Sequence, residues 1–393
     1  MKLLMISQDF PPDVGGIQTY CQELADRFVH LTHKFSVVAP DRPDANHFDN
    51  KTSYRIYRVS GRNVWLPATS MPTLHNLVYN AGYNVTFHAQ WQTILSSYQA
   101  RRKGDIKAIF CAAHGRELLF NVAEPGTRTH KWYDGLRKFF LNEADHFFAV
   151  SNYTADLLQG HGVACDRITV MPNGTNPDQF YPGDASEIRE RLNLKDTKTI
   201  LTICRLVRRK GVDTVIRAFS KVVSTHPEAK LIIIGDGEDR QRLETLASDL
   251  GVRQSVRFTG WIAHDGMEIN QFYNLADIVV MTPRTDPVQV EGFGIVYLEA
   301  NACGKPVIGS RSGGIPDAVM DGETGLLVDE DNPDQLAEAM KQLLDNPDFA
   351  ERLGLQGLQR VVDDLNWDAI AKRIFNKIDY IANMENKFSG ATI

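Results

Sequence analysis

The stretch TKTILTICRLVRRKGVDTVIRAFSKVVSTHPEAKLIIIGDG, residues 197–237, decides the fold. TKTILTICRL reads as a strand, GVDTVIRAFSKVVSTHP as a helix and AKLIIIGDG as a second strand. Two apolar strands joined by a helix of this length make a right-handed crossover, hence a parallel sheet. The beat continues through the helix EDRQRLETLASDLG and the strands VRFTGWI, ADIVVMTP, KPVIGSRSGG and GLLVDED. Upstream it is already running. KLLMIS at 2–7 is a strand, GGIQTYCQELADRFVHL from Gly15 a helix, and KFSVVAP at 34–40 a strand. IKAIFCAAH is a buried strand, LRKFFLNEADHFFAVSNYTADLLQGHG supplies helix, strand and helix, and ITVMPNG is a short last strand. The expected fold is α/β, with two doubly wound Rossmann-like domains at 1–175 and 180–365 facing across a cleft. NPDQFYPGDAS at 176–186 reads as the linker, and amphipathic NWDAIAKRIFNKIDYIANM occupies 366–384. Within 41–100, SYRIYRVSG looks antiparallel, and the aromatic, polar run to Tyr98 has no assignment.

Bulk properties narrow the class. A chain of 393 residues is long enough for two cores, and 43% hydrophobic with 23% charged residues describes a globular protein. No apolar run approaches the ~20 residues that cross a bilayer. MKLLMISQDFPPD has too short an apolar run for a signal peptide and reads as the first strand. Cys21, Cys111, Cys165, Cys204 and Cys303 are scattered without framework spacing, which suits buried thiols in a reducing cytoplasm. The net charge of −6 is uneven: residues 1–176 carry 18 Lys/Arg against 15 Asp/Glu, and nine of the 11 histidines. Residues 101–138 hold nine basic residues (Arg101, Arg102, Lys103, Lys107, Arg116, Arg128, Lys131, Arg137, Lys138) against four acids. That run is either a solvated face or a contact with an anionic membrane surface. Nucleic acid fits poorly, because no helix-turn-helix, zinc-finger spacing or aromatic-interleaved basic strand occurs.

Ligands of doubly wound sheets bind outside the carboxyl ends of the strands, and the candidate residues fall there. Gly15 and Gly16 open a helix after the first strand, where free amides suit an anion such as a diphosphate; the plainer reading is a tight turn. Gly235, in GDG, follows a strand similarly, though the acids after it favour a turn or a hydroxyl ligand. Arg205 and Lys210 follow the strand TILTI, with Arg208 and Arg209 between them diluting the assignment. A guanidinium fork and a flexible ammonium suit phosphate oxygens. His114, before Gly115 at a strand end, suits a substrate hydroxyl or a satisfied core position. In EGFGIVYLEANACGKPVIGS, Glu291 stands in a loop and Glu299 one to two turns into a helix beginning near Ile295. The amides of Phe293 and Gly294 lie at that helix start. Two carboxylates so spaced could hold the hydroxyls of two separate sugars. No metal-ligand spacing is present.

Together these pieces resemble the retaining glycosyltransferases of family 4, which have the two-domain GT-B fold. The Glu-x7-Glu signature stands intact as Glu291 to Glu299, and GGIPDAVMDGETGLLVD, from Gly313, is similar to the family's usual sequel. Resemblance covers nearly the whole chain. It implies a nucleotide-sugar donor as substrate, with no tightly bound cofactor or required metal. Arg205, Lys210 and Gly16 would meet the donor diphosphate, and His114 would lie near the donor sugar. Glu291 would hold sugar hydroxyls with the amides of Phe293 and Gly294, and Glu299 the ribose; Gly15, Gly235 and Ile295 complete the expected donor site. The family's usual PNGVD reads PNGTN here, with Asn176 in place of the acid and Asn173 and Gly174 retained. The last helix commonly crosses back to the N-terminal, acceptor-binding domain, and the C-terminal domain binds the donor. FPPDVGGIQTY and EGFGIVYLEA look most similar to bacterial phosphatidylinositol mannosyltransferases that use GDP-mannose. That implies a lipid or glycan acceptor and a cytoplasmic enzyme peripheral on the inner face of the plasma membrane. UDP-sugar donors with polysaccharide or soluble acceptors, a nucleotide-sugar 2-epimerase, and a non-catalytic binding module are the rivals. No carboxylate identifies itself as a nucleophile, so same-face substitution through an oxocarbenium-like state is the expected route, with domain closure excluding water.

Overall fold

The computed structural model describes residues 1–60, 66–121, 124–263 and 266–389. The chain forms two compact units, Met1–Asn173 with Trp367–Ile393, and Gly174–Asn366. In the first unit, seven strands form one parallel sheet: β1 (Lys2–Ile6), β2 (Lys34–Pro40), β3 (Arg55–Val59), β4 (Val85–His88), β5 (Ala108–Ala113), β6 (His146–Ala149) and β7 (Ile168–Val170). Their order is β3-β2-β1-β4-β5-β6-β7. β4, β5 and β6 are buried along their whole length, as expected of parallel strands covered on both faces.

One expectation about 41–100 is corrected here, and the run left unassigned is placed. SYRIYRVSG is parallel, not antiparallel: Val37 sits opposite Ile56 and Val38 opposite Tyr57. Its alternation comes from its place at the sheet edge, where residues 55–58 keep partial exposure. The unassigned run contains β4, a central strand between β1 and β5. Its polar content hid it, because Thr86 and His88 are fully buried. His88 is satisfied through Nδ1 by Thr93 Oγ1 at 2.8 Å and through Nε2 by Ser97 Oγ at 2.9 Å. Burial lowers the His88 pKa to about 3, so the ring is neutral.

The second unit contains β8 (Thr199–Ile203), β9 (Lys230–Ile234), β10 (Val256–Gly260), β11 (Ile278–Val280), β12 (Val307–Ser310) and β13 (Gly325–Val328), in the order β10-β9-β8-β11-β12-β13. All its strand pairs are parallel. The crossover 197–237 is β8, the helix Val212–Val222, and β9, with Thr199 opposite Lys230. Val212, Val215, Ile216, Phe219 and Val222 recur at helical spacing and pack into the core with Leu231 and Ile233. Burying each such side chain contributes about 1.5–3 kcal/mol relative to leaving it exposed.

The segment 176–186 is no free linker. Phe180 is buried against Tyr273 with ring centroids 5.6 Å apart. The Tyr181 and Gly183 amides donate to Asn270 Oδ1 and Asn274 Oδ1 at 3.2 and 2.8 Å, fastening the segment to the second unit. The helix Trp367–Ser389 belongs to the first unit, where Trp367, 1% exposed, meets the Tyr20 ring at 5.8 Å. Among the described residues no helix is long and apolar enough to cross a membrane.

Strand order reverses between β1 and β4 in the first sheet and between β8 and β11 in the second. Such switch points open a crevice at the carboxyl ends of the strands.

Candidate functional site

At the second unit's switch point, the chain leaves β8 and runs through Cys204–Lys210. The Cys204 and Leu206 amides donate to the carbonyls of Ile234 and Asp236 at 3.1 and 2.9 Å, so this loop continues beside the end of β9. Gly235 permits that approach: at φ +129°, a Cβ there would lie 1.9 Å from the Cys204 carbonyl oxygen. Its glycine is thus explained by packing, a reason the sequence did not reveal. Arg284, after β11, donates to the Arg208 carbonyl at 3.0 Å and to Asp213 at 2.8 Å, holding the loop from its other side.

Lys210 and Glu291 come together here. Lys210 Nζ lies 2.5 Å from Glu291 Oε2, and Arg209 Nη1 lies 3.3 Å from the same oxygen. The Lys210 and Glu291 side chains are only 13% and 17% exposed. Burial pushes the Glu291 carboxyl up, but Lys210 and then Arg209 outweigh it and hold it below the usual carboxylate range. Glu291 is therefore ionised at neutral pH. Arg209, which had seemed only to dilute the motif, is part of the cluster; its buried Nε has no partner among the described residues. Arg205 is exposed and pairs with no acid among the described residues, leaving its charge available for an anion.

The helix Ile295–Ala302 begins after Phe293 and Gly294, with Gly294 in the capping position and no side-chain cap. The Phe293 side chain is buried in the interior, and Ile295 is half-buried. Glu299 is 1% exposed and accepts a 2.5 Å hydrogen bond from the Tyr273 hydroxyl. No spacing rule pointed to Tyr273, which lies 26 residues earlier on another helix.

In the first unit, the loops after β1, β4 and β5 gather a second polar group. The helix Gly16–Leu31 starts at Gly15 with no side-chain cap and no acid in its first turn. Gly16 is exposed, and a Cβ there would meet nothing, so packing does not demand its glycine. His114, 9% exposed, stands edge-on to Tyr20 with centroids 4.8 Å apart. Its Nε2 and the Tyr20 hydroxyl are buried without partners among the described residues. Burial lowers the His114 pKa to about 4, which keeps the imidazole neutral. Glu117 was not singled out in the sequence, although HGRE contains it. Its Oε1 accepts from the amides of His114 and Gly115 at 2.6 and 3.3 Å and so fixes their loop. Asp9, after β1, accepts from Gln90 Nε2 at 2.7 Å, after β4. Asn176 Oδ1 accepts from the Asp178 amide at 3.0 Å, closing a turn that an acid could also close.

The basic run 101–138 divides by role. Arg101 forms a fork onto Asp145, and buried Arg137 donates to the carbonyls of Leu118 and Phe120. Arg102, Lys103, Lys107, Arg116, Arg128, Lys131 and Lys138 are exposed. No group of three or more His, Cys, Asp or Glu side chains suited to a metal ion occurs among the described residues.

The family described as Glycosyltransferase Family 4 matches residues 14–179, and that described as Glycosyl transferases group 1 matches residues 184–360. The chain is 34% identical to the GDP-mannose-dependent alpha-(1-6)-phosphatidylinositol monomannoside mannosyltransferase of Mycolicibacterium smegmatis, over 95% of this chain and 97% of that protein. It is 33% identical, over the same shares, to the GDP-mannose-dependent monoacylated alpha-(1-6)-phosphatidylinositol monomannoside mannosyltransferase of Corynebacterium glutamicum. Among solved structures, sucrose-phosphate synthase from Thermosynechococcus elongatus superposes with a TM-score of 0.78 at 25% identity, covering 97% of this chain and 99% of that one. Anabaena HepE, solved with UDP, gives 0.80 at 19% identity, covering 97% and 100%, and bears on the fold alone. The paired parallel sheets are those of the GT-B fold, and the chain belongs to glycosyltransferase family 4.

Proposed function

We propose that this glycosyltransferase moves mannose from GDP-mannose to a hydroxyl of a lipid or glycan acceptor, retaining the alpha configuration. Similarity along nearly the full chain to GDP-mannose-dependent enzymes supports the donor and a mannosylated phosphoinositide acceptor. The observation that carries the reading is the charged cluster at the β8/β11 switch point: an ionised carboxylate held by Lys210 and Arg209, beside uncommitted Arg205.

In this reading the second unit binds the donor and the first the acceptor. As the anomeric C–O bond breaks, negative charge grows on the leaving diphosphate, where Arg205 and Lys210 stabilise it. The Gly15–Gly16 turn offers amides to an anion. Glu291, with the amides of Phe293 and Gly294, holds hydroxyls of the transferred sugar, Ile295 lines the same helix start, and Glu299 serves the ribose. Gly235 shapes the donor loop. His114 stays neutral and uses Nε2 for a sugar hydroxyl. Glu291 Oε2 is already bound to two cations, so it makes a poor nucleophile. That favours same-face substitution, in which the departing phosphate oxygen takes the acceptor's proton. The enzyme works at the inner face of the plasma membrane, attached peripherally through the 101–138 region.

The test is a panel of GDP-mannose, UDP-glucose and UDP-N-acetylglucosamine with a mannosylated phosphoinositide, reading turnover and the anomeric coupling of the product. GDP-mannose alone should give an alpha-linked product. Turnover confined to a UDP-sugar, or a beta-linked product, overturns the reading.

A further inference from the structure

The two cations on Glu291 differ in what else holds them. Both reach the same oxygen, Oε2: Lys210 Nζ at 2.5 Å and Arg209 Nη1 at 3.3 Å. Oε1 accepts no hydrogen bond among the described residues. Both backbones are fixed. Arg208–Lys210 form a single 3-10 turn closed by Gly211 at φ +67°, and the Arg209 carbonyl accepts from the Arg284 amide at 2.8 Å. Arg209 commits one nitrogen, Nη1, and its Nε is buried without a partner among the described residues, so the guanidinium keeps donors in reserve. Lys210 is a flexible stem ending in an ammonium, and Glu291 is its one acidic partner among the described residues. The other titratable groups that feel this carboxylate, Cys204 and Tyr297, are neutral. Burial pushes the Cys204 thiol up to about 11 and the Tyr297 hydroxyl well above its usual value; that hydroxyl donates to the Met281 carbonyl at 2.8 Å.

We propose that Arg209 is a positioning residue: it stays on Glu291 while Lys210 moves from that carboxylate to the donor diphosphate. The Lys210–Glu291 pair is then the resting arrangement, and donor binding is an exchange of partners. The proposal rests on the nucleotide-sugar reading and gives the two adjacent cations separate tasks. A diphosphate bears more negative charge than a carboxylate and competes well for a mobile ammonium. Once Lys210 leaves, a largely buried Glu291 with no other cation would take up a proton, because burial penalises the charged form. Protonation would cost it an acceptor site for sugar hydroxyls. Arg209, permanently charged and anchored through its carbonyl, prevents that. Its end-on nitrogens, Nη1 and Nη2, can close on the carboxylate while Oε1 receives the sugar. The exchange needs side-chain rotation alone, and it couples recognition of the diphosphate to recognition of the sugar.

The test has two arms, both on the full chain. In the first, titration calorimetry reads GDP affinity. Glu291→Gln removes the charge that Lys210 must leave, so GDP should bind about 5-fold tighter or more, although turnover falls. Combining it with Lys210→Ala should erase most of that gain. Unchanged or weaker GDP binding by Glu291→Gln overturns the exchange. So does an equal gain in the Lys210→Ala background, which would be plain charge repulsion. In the second arm, kcat is followed against pH with GDP-mannose and a mannosylated phosphoinositide. Arg209→Gln should move the acid limb upward by about one pH unit or more, since Glu291 then has no cation once Lys210 has moved. Arg209→Lys should restore the parental limb. A loss of kcat equal at every pH makes Arg209 purely structural and overturns its role, as does an unmoved limb. A rise in Tm with GDP shows that each variant is folded, and the first arm needs no Arg209 variant. A parent that binds UDP and not GDP sinks the GDP-mannose reading; the exchange stands if Glu291→Gln tightens UDP binding.

Discussion

Lys210 Nζ and Glu291 Oε2 lie 2.5 Å apart, joining the loop after β8 to the loop after β11 across the strand-order reversal. The pair has two effects. It keeps a largely buried carboxylate ionised, and it holds an ammonium where an arriving anion can compete for it.

Replacing either cation should therefore cost activity by different routes. Arg205→Ala and Lys210→Ala should each lose about 2–4 kcal/mol of transition-state stabilisation, measured as kcat/KM. Only Lys210→Ala should also lower Tm, because it strips a buried carboxylate of its nearest cation whereas Arg205 is exposed. Near-parental turnover in both removes the diphosphate assignment.

The two glutamates should separate kinetically. Glu291→Gln should lower kcat, since it weakens contacts to the reacting sugar. Glu299→Gln keeps an acceptor for the Tyr273 hydroxyl, so the fold persists and donor KM should rise by a factor set by about 1–3 kcal/mol. A Glu299→Gln enzyme with parental donor KM would make that residue purely structural.

Stability should fall as pH drops from about 6.5 toward 4. His88 and His114 are buried and neutral, with pKa values of about 3 and about 4 against 6.5 unfolded. In that window the unfolded chain binds protons that the folded chain refuses, so each ring contributes stability above the window and loses it as pH falls. The limit is about 1.4 kcal/mol per pH unit for each ring. Glu117, raised by burial, works in the opposite direction, so the informative quantity is a difference in slope. Denaturant unfolding of His88→Gln should show a shallower loss than the parent; identical slopes would mean the ring is protonated in the folded state.

Gly211→Ala should damage the same loop through the backbone. Gly211 has φ +67°, and a Cβ there would lie 1.9 Å from the Thr282 carbonyl oxygen. The substitution should cost about 1–3 kcal/mol of stability and displace Lys210, lowering kcat/KM as well. A crystal structure of the variant with an unmoved 208–211 loop would refute the packing argument.

Trp367→Ala should destabilise the first unit by about 3–5 kcal/mol, because it empties a buried site against Tyr20. Hydrogen exchange should show the loss in the helix Gly16–Leu31 before it appears in the second unit. Uniform exchange across both units would indicate that this helix has no preferred home.

Much of the architecture was legible because parallel strands buried on both faces are written as apolar runs and their crossovers as amphipathic helices. VVMT and LIIIG could hardly be anything else. β4 was not legible, since VTFH carries a threonine and a histidine, and the His88 ring is satisfied beyond the strand by Thr93 and Ser97. The parallel direction of β3 was likewise hidden: an edge strand alternates in exposure whichever way it runs. The segment 176–186 has the composition of a linker, and only the anchoring of Phe180, Tyr181 and Gly183 makes it part of the second unit.

Candidate residues followed the same division. Local order sufficed to put Glu291 before a helix start and Lys210 after a strand, because short-range periodicity determines such placements. Which groups meet was decided by the tertiary structure: Arg209 and Lys210 on Glu291, and Tyr273 on Glu299. Those partners come from separate elements, brought within hydrogen-bonding range only when the sheets order their strands. Charge pairing and burial depend on that distance, and spacing along a chain does not encode it.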